Sequence, residues 1–155
     1  TIQTYRGLLG TIGVVFRSRD TYFNENGRIG WGGPNICTQR VDLVGHSWFF
    51  EKEWLSSYWR ELPDPQYQYC GEDMHFSYTL QKYLGLHTYV PPHPINDKTL
   101  WGSIKGDVYG GGPVSLWQGN PSSVASTGQV MTNHQLMNQF FVEQCAKGWK
   151  LLCDK

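Results

Sequence analysis

Residues 71–92 read Gly-Glu-Asp-Met-His-Phe-Ser-Tyr-Thr-Leu-Gln-Lys-Tyr-Leu-Gly-Leu-His-Thr-Tyr-Val-Pro-Pro, and this stretch decides the fold class. Phe76, Leu80, Tyr83 and Leu84 recur at helical spacing, which predicts a helix over about 72–84 with one apolar face. Gly85 stands where a left-handed residue ends a helix. Leu86 to Val90 then predicts a short strand, closed by Pro91 and Pro92. Helix, glycine, short strand is the rhythm of an α/β layer structure.

Working outward, residues 8–17 are rich in β-branched side chains and predict a buried strand. Residues 18–35, polar and glycine-rich, predict a loop or a wide hairpin end, and 40–50 a second strand followed by a turn. Phe50, Trp54, Tyr58 and Leu62 recur every four residues, so 51–62 predicts a helix, stopped by Pro63 and Pro65. Residues 102–131 hold Gly110-Gly-Gly-Pro113 and predict a long surface loop, a candidate lid. Residues 133–152 predict a last helix with Met137, Phe141, Cys145 and Leu152 on one side. The sum is three strands and three helices in a single domain over 1–155, a thin sheet for an α/β domain.

Composition narrows the function classes. Formal net charge is zero and no polybasic run occurs, so the electrostatic footprint of a nucleic-acid or anionic-membrane binder is absent. With 39% hydrophobic residues, 7 Trp, 9 Tyr and 7 Phe, the chain is not a disordered one. That many rings either fill a core or line a surface for ring-shaped ligands, and sugars stack their C–H faces on such rings. No apolar run approaches the ~20 residues of a membrane span. Thr1-Ile-Gln-Thr-Tyr-Arg6 has no leader pattern, and no Asn-x-Ser/Thr acceptor occurs, so the compartment stays open. Cys37, Cys70, Cys145 and Cys153 form no C-x-x-C pair; they are reduced core thiols or two disulfides.

Gly71-Glu72-Asp73 puts two carboxylates in the first turn of a helix. Acids are common there as structural residues, and the helix terminus stabilises their charge by about 0.3–1 kcal/mol. That predicts carboxylates ionised at neutral pH, with Gly71 leaving space beside them. The strand Val41–Gly45 changes character at His46-Ser47-Trp48, and strand ends of this kind are where open α/β sheets place ligands.

Taken in order, the set becomes specific. A strand ending in Gly-x-x-x-Phe, a helix, a short loop, Gly-Glu-Asp on a helix and a Gly-x-x-Thr-Tyr-Val-Pro strand resembles the C-terminal, acceptor-side half of a GT-A fold, family 2-like inverting glycosyltransferase. The resemblance covers about residues 8–95 and agrees best over 41–92. It implies an α/β fold: a partial, Rossmann-like GT-A mixed sheet with flanking helices. It also implies a sugar passed with inversion from a nucleoside-diphosphate sugar to a hydroxyl of a glycan or glycoconjugate. The Glu-Asp pair of such enzymes matches Glu72 and Asp73. Asp73 is then the base that takes the acceptor proton and Glu72 an acceptor-binding or orienting group, with the two roles exchangeable. Gly45, His46, Ser47, Trp48 and Gly71 fall to substrate binding. A histidine beyond the following strand often helps hold a divalent metal, Mn or Mg, on the donor diphosphate; His93 matches by order, with His134 the alternative.

The N-terminal nucleotide-binding half of such an enzyme, with its Asp-x-Asp, is missing: no Asp-x-Asp occurs here. The expectation is therefore the C-terminal portion of a catalytic domain, preferably a fragment whose other half is carried by a separate chain, with a truncated gene product the alternative. Two rival readings use the same residues. One is a non-catalytic carbohydrate-binding module. The other is a hydrolase, which needs a second carboxylate at a distance, such as Asp42 or Asp97, because neighbours on one helix cannot straddle a bond.

Overall fold

The computed structural model describes residues 4–23, 27–31, 33–67, 70–101, 122–124 and 130–154. The main sheet is built from β1 (Gly7–Val15), β2 (Gly27–Ile29), β3 (Gln39–Val41), β4 (Leu43–Phe49) and β5 (His87–Val90). β1 is its centre, with Leu8, Leu9, Ile12 and Val14 buried as the β-branched run predicts. β4 lies antiparallel along one edge of β1. Along the other edge β5 runs parallel to the first part of β1 and β2 antiparallel to the last. β3 pairs antiparallel with β5. β3 and β4 are consecutive in the chain yet lie on opposite flanks of the β1–β5 pair, so the mixed sheet curls.

Asp42 makes that corner. Its carboxylate accepts hydrogen bonds from the Phe16 N–H at 2.8 Å and the Leu152 N–H at 2.7 Å, while its own N–H donates to the Val14 carbonyl at 2.9 Å. The single strand expected over 40–50 is therefore two strands, broken where a buried side chain takes over the pairing. The expected loop at 18–35 is a hairpin end, and β2 is its returning arm.

The helix expected over 51–62 contracts to a 3-10 turn at Lys52–Trp54 and one α-turn, α1 (Leu55–Tyr58). Ser56 and Ser57 donate their hydroxyls to the carbonyls of Glu53 and Trp54, both at 2.8 Å, and such back-bonds compete with helix continuation. Trp54 is buried, but Leu62 is 70% exposed and takes no part in the expected apolar face.

α2 (Glu72–Leu84) matches its predicted span, and Gly85 closes it at φ 64° with its N–H on the Gln81 carbonyl. The single apolar face does not hold. Every residue from Met74 to Leu80 is buried, because α2 stands between two cores. Met74 and Tyr78 join Phe16, Leu43, Phe140, Phe141 and Trp149 on one side; Phe76 and Leu80 join Leu8, Val41, Val44, Trp54 and Val90 on the other. Its buried polar side chains bond to backbone: His75 Nε2 lies 3.0 Å from the Tyr58 carbonyl, and the Ser77 hydroxyl donates to the Asp73 carbonyl at 2.8 Å.

The last helix, α3 (Asn133–Ala146), stops six residues short of the expected 152. It follows a small antiparallel sheet of β6 (Ser122–Val124) and β7 (Val130–Thr132), which replaces the end of the expected loop; 102–121 and 125–129 lie outside the described residues. Thr132 and Gln135 cap α3 reciprocally, a capping box. The tail after it is pinned from three sides. Arg19 donates to the carbonyls of Cys145 (2.7 Å) and Trp149 (3.0 Å), Gln81 exchanges two 2.8 Å bonds with the Lys150 backbone, and Asp42 holds Leu152. Leu152 thus belongs to the tail and not to the helix face with Met137, Phe141 and Cys145. Among the described residues no helix is long and apolar enough to cross a membrane.

Candidate active site

The start of α2 is set by Gly71, which takes φ 82°. A Cβ there would fall 2.2 Å from Cδ1 of Phe140 on α3. The glycine is thus required by a left-handed turn and by helix packing, and not for the open space beside the carboxylates that the sequence led one to expect. The turn leaves Glu72 exposed and Asp73 half-buried.

Asp73 Oδ1 accepts the Met74 N–H at 2.8 Å. Oδ2 faces the sheet, 4.0 Å from where a side chain would begin at Gly45 on β4. Burial, and then the charge of Glu72, push the Asp73 carboxyl up to about 7, against the bond from Met74. The helix terminus therefore does not keep it firmly ionised. A contribution of about 0.3–1 kcal/mol is outweighed by desolvation and by a like charge on the adjacent residue.

The facing strand is irregular at this point. Gly10 of β1 pairs with Trp48 and Ile12 with Gly45, three steps along β4 against two along β1, so β4 bulges at His46–Ser47. A bulge re-aims side chains, and this one falls on the residues assigned to substrate binding. The Ser47 hydroxyl lies 3.1 Å from that of Thr11. The half-buried Trp48 ring packs at 5.7 Å on Phe76, one turn along α2 from Asp73, and donates its Nε1–H to the Val44 carbonyl at 3.3 Å. With Leu9, Phe49 and Phe50 it lines an open apolar depression. The side chain of His46 lies outside the described residues.

Sequence reasoning missed several neighbours of the acid pair. The Tyr22 hydroxyl is held well above its usual range by burial and then by the Asp73 charge, with Arg28 opposing. Tyr58 is raised by burial, then by Glu72 and Asp73. The Cys70 thiol is pushed up to about 11 by burial, then by the same two acids. Tyr22 and Arg28 come from the 18–35 stretch that resembled loop; its Thr21-Tyr22-Phe23 cluster was the signal available that it carried more than a turn. All four cysteines are free thiols, but only Cys145 is the expected core thiol; Cys70 is half-buried, and Cys37 and Cys153 are exposed.

His93 is buried and serves as a clamp. Its Nδ1 accepts the Asn35 N–H at 3.1 Å, its own N–H donates to the Asn35 carbonyl at 2.8 Å, and Asn35 Nδ2 donates to the Val90 carbonyl at 2.9 Å. A neutral imidazole accepting at Nδ1 carries its proton on Nε2, which is buried with no partner among the described residues. Nε2 thus presents a donor and not a lone pair, and a metal there requires the Asn35 bond to be given up. Nor do three His, Cys, Asp or Glu side chains converge among the described residues. His93 as held here therefore offers a divalent cation no ligand atom. His134 stacks on Phe23 instead.

The hydrolase pairing finds no support: Asp42 is bonded into the sheet corner, and Asp97 sits exposed in a turn. No protein-family model matches the chain, and no curated protein or solved structure matches it.

Proposed function

We propose that this chain is the acceptor-side portion of an inverting glycosyltransferase of GT-A type, with Asp73 as the base. The acceptor hydroxyl loses its proton to Asp73 as its oxygen attacks the anomeric carbon and the bond to the nucleoside diphosphate breaks. One observation carries the reading. A half-buried carboxyl whose proton affinity sits at about 7 faces a bulged strand end. A general base works best with its pKa near the working pH, and burial beside a like charge is how a carboxyl is brought there. Glu72, exposed beside it, raises that affinity and is free to orient the acceptor.

A nucleotide-binding portion on a separate chain belongs to the same proposal. Among the described residues β4 pairs on one side only, and Phe49 at its end is 59% exposed beside the apolar depression. A strand-bearing partner would cover both. The 155-residue chain alone should transfer no sugar, and turnover of a sugar nucleotide by it alone would overturn that part.

In the assembled enzyme Asp73→Asn should lower the transfer rate by about 10²–10⁴ while donor affinity stays within a few-fold. The wild-type rate should climb with pH through about 7, because the base acts unprotonated. Activity surviving Asp73→Asn within a few-fold would show that Asp73 is not the base. A carbohydrate-binding module is the second reading, favoured by Trp59 at 62% and Trp31 at 40% exposure. It predicts glycan binding without transfer, indifferent to Asp73→Asn.

A further inference from the structure

The connection between β1 and β2 and the start of α3 meet through three rings. Phe23 and His134 lie nearly parallel, 8° between planes, with centroids 4.5 Å apart. Tyr22 meets Phe23 edge-on, at 76° and 4.9 Å. Phe23 is 43% exposed and His134 is exposed too. Exposed rings on a connection are ordinarily mobile, but these are tied down. Asn138, one turn after His134 on α3, accepts on Oδ1 from the Thr21 hydroxyl and from the Tyr22 N–H, each at 2.8 Å. The Thr21 hydroxyl in turn accepts from the Phe23 N–H at 3.2 Å. Below His134, the Thr132–Gln135 capping box fixes the first turn of α3. The pair is set before anything binds, so little freedom remains to be lost on binding.

The inner end of the row leads to the acid pair. Tyr22 packs on Phe16 at 5.5 Å and Phe141 at 6.1 Å, and the charges of Asp73 and Glu72 reach its hydroxyl. Tyr22 thereby packs against the core that holds Met74, next in the chain to Asp73, and Phe140, against which Gly71 sits, so the rings run from the core under the first turn of α2 out to solvent.

Resting on the glycosyltransferase reading, we propose that the Phe23–His134 pair, with Tyr22 behind it, is the platform for a sugar ring of the acceptor. The C–H face of a pyranose lies on the exposed ring surface while its hydroxyls keep their water. The acceptor, and not the donor, is the occupant because the row starts from the core under the first turn of α2, which carries the base that by its role touches the attacking hydroxyl. At 4.5 Å the two rings already fill the gap between them, so nothing flat slides in between; a ligand rests on the outside of the stack.

The 155-residue chain is titrated with methyl β-glucoside, methyl β-galactoside and methyl β-N-acetylglucosaminide, and separately with UDP and GDP. NMR follows the imidazole protons of His134, with those of the buried His75 as a control for folding. At least one glycoside should shift the His134 signals, and Phe23→Ala should abolish that shift while leaving His75 unmoved. Phe23→Trp should retain it. In the assembled enzyme Phe23→Ala should raise the acceptor KM about fivefold to tenfold, with kcat changed less. No glycoside shift at His134, a shift indifferent to Phe23→Ala, or a response to the nucleoside diphosphates alone would overturn the platform. The two proposals fail separately. If Asp73→Asn abolishes transfer but Phe23→Ala leaves the acceptor KM within twofold, the platform falls and the base stands. If glycosides bind the pair but transfer survives Asp73→Asn, the platform stands as a sugar site and the base assignment falls.

Discussion

Asp73 and Asp42 both bind protons more tightly in the fold than in a free chain, and this gives stability an unusual pH dependence. Asp73 is raised from 3.8 to about 7 by burial and Glu72; Asp42 is raised from 3.8 to about 6, by burial against two backbone bonds. A group raised in the fold stabilises fully below its unfolded pKa and loses that contribution as pH rises through its folded one. Stability should therefore fall from about pH 4 to about 7. Glu61 opposes this at the acid end. Burial would raise it, but hydrogen bonds from Lys82, Tyr83 and Tyr78 hold it down at about 2, so its contribution is lost as pH drops from 4.5 towards 2. Thermal unfolding followed by circular dichroism should give a higher Tm near pH 5 than at pH 8. Asp73→Asn should flatten that slope and raise Tm at pH 8, because it removes a carboxyl that must be desolvated beside a like charge. Asp42→Ala should lower Tm at every pH, because it orphans the N–H groups of Phe16 and Leu152 at about 1–3 kcal/mol each. Gly71→Ala meets both a positive φ and the Phe140 ring, and urea unfolding should show a loss of about 2–5 kcal/mol.

Among the elements, α2 was the most legible in the sequence. Its start, its end and its left-handed cap all follow from local chemistry at Gly71 and Gly85. What local pattern could not carry was its surroundings: a helix buried on both sides needs two partners, and these come from residues far away in the chain. β2, β6 and β7 have three residues each, too few for alternation to register, and only pairing makes them strands. The bulge in β4 is a property of register against β1 and has no signature within His46–Ser47 itself. The acid pair was legible as a pair, whereas its proton affinity was not, because that depends on how deeply the sheet buries it. The tail after α3 is likewise tertiary, since Arg19 and Gln81 hold it. Arg19→Ala should speed amide exchange at Leu151 and Leu152, and leave exchange through 74–80 of α2 unchanged.

At the scale of the molecule, the chain combines a curled sheet, two apolar cores and unusually exposed apolar side chains. Leu62 (70%), Trp59 (62%) and Phe49 (59%) lie on or near the segment from β4 to the loop before α2. Alone in solution the chain should associate as its concentration rises, measurable by sedimentation velocity, and addition of the proposed nucleotide-binding portion should suppress that association. The placement of α2 has a further consequence for how such a protein would wear out. The proposed base sits on the first turn of α2, the one helix among the described residues that both cores grip. Loosening either core shifts the base, so there is no folded-but-inactive state for heat to populate before the structure gives way. In the assembled enzyme, residual activity and residual structure should decay along one curve.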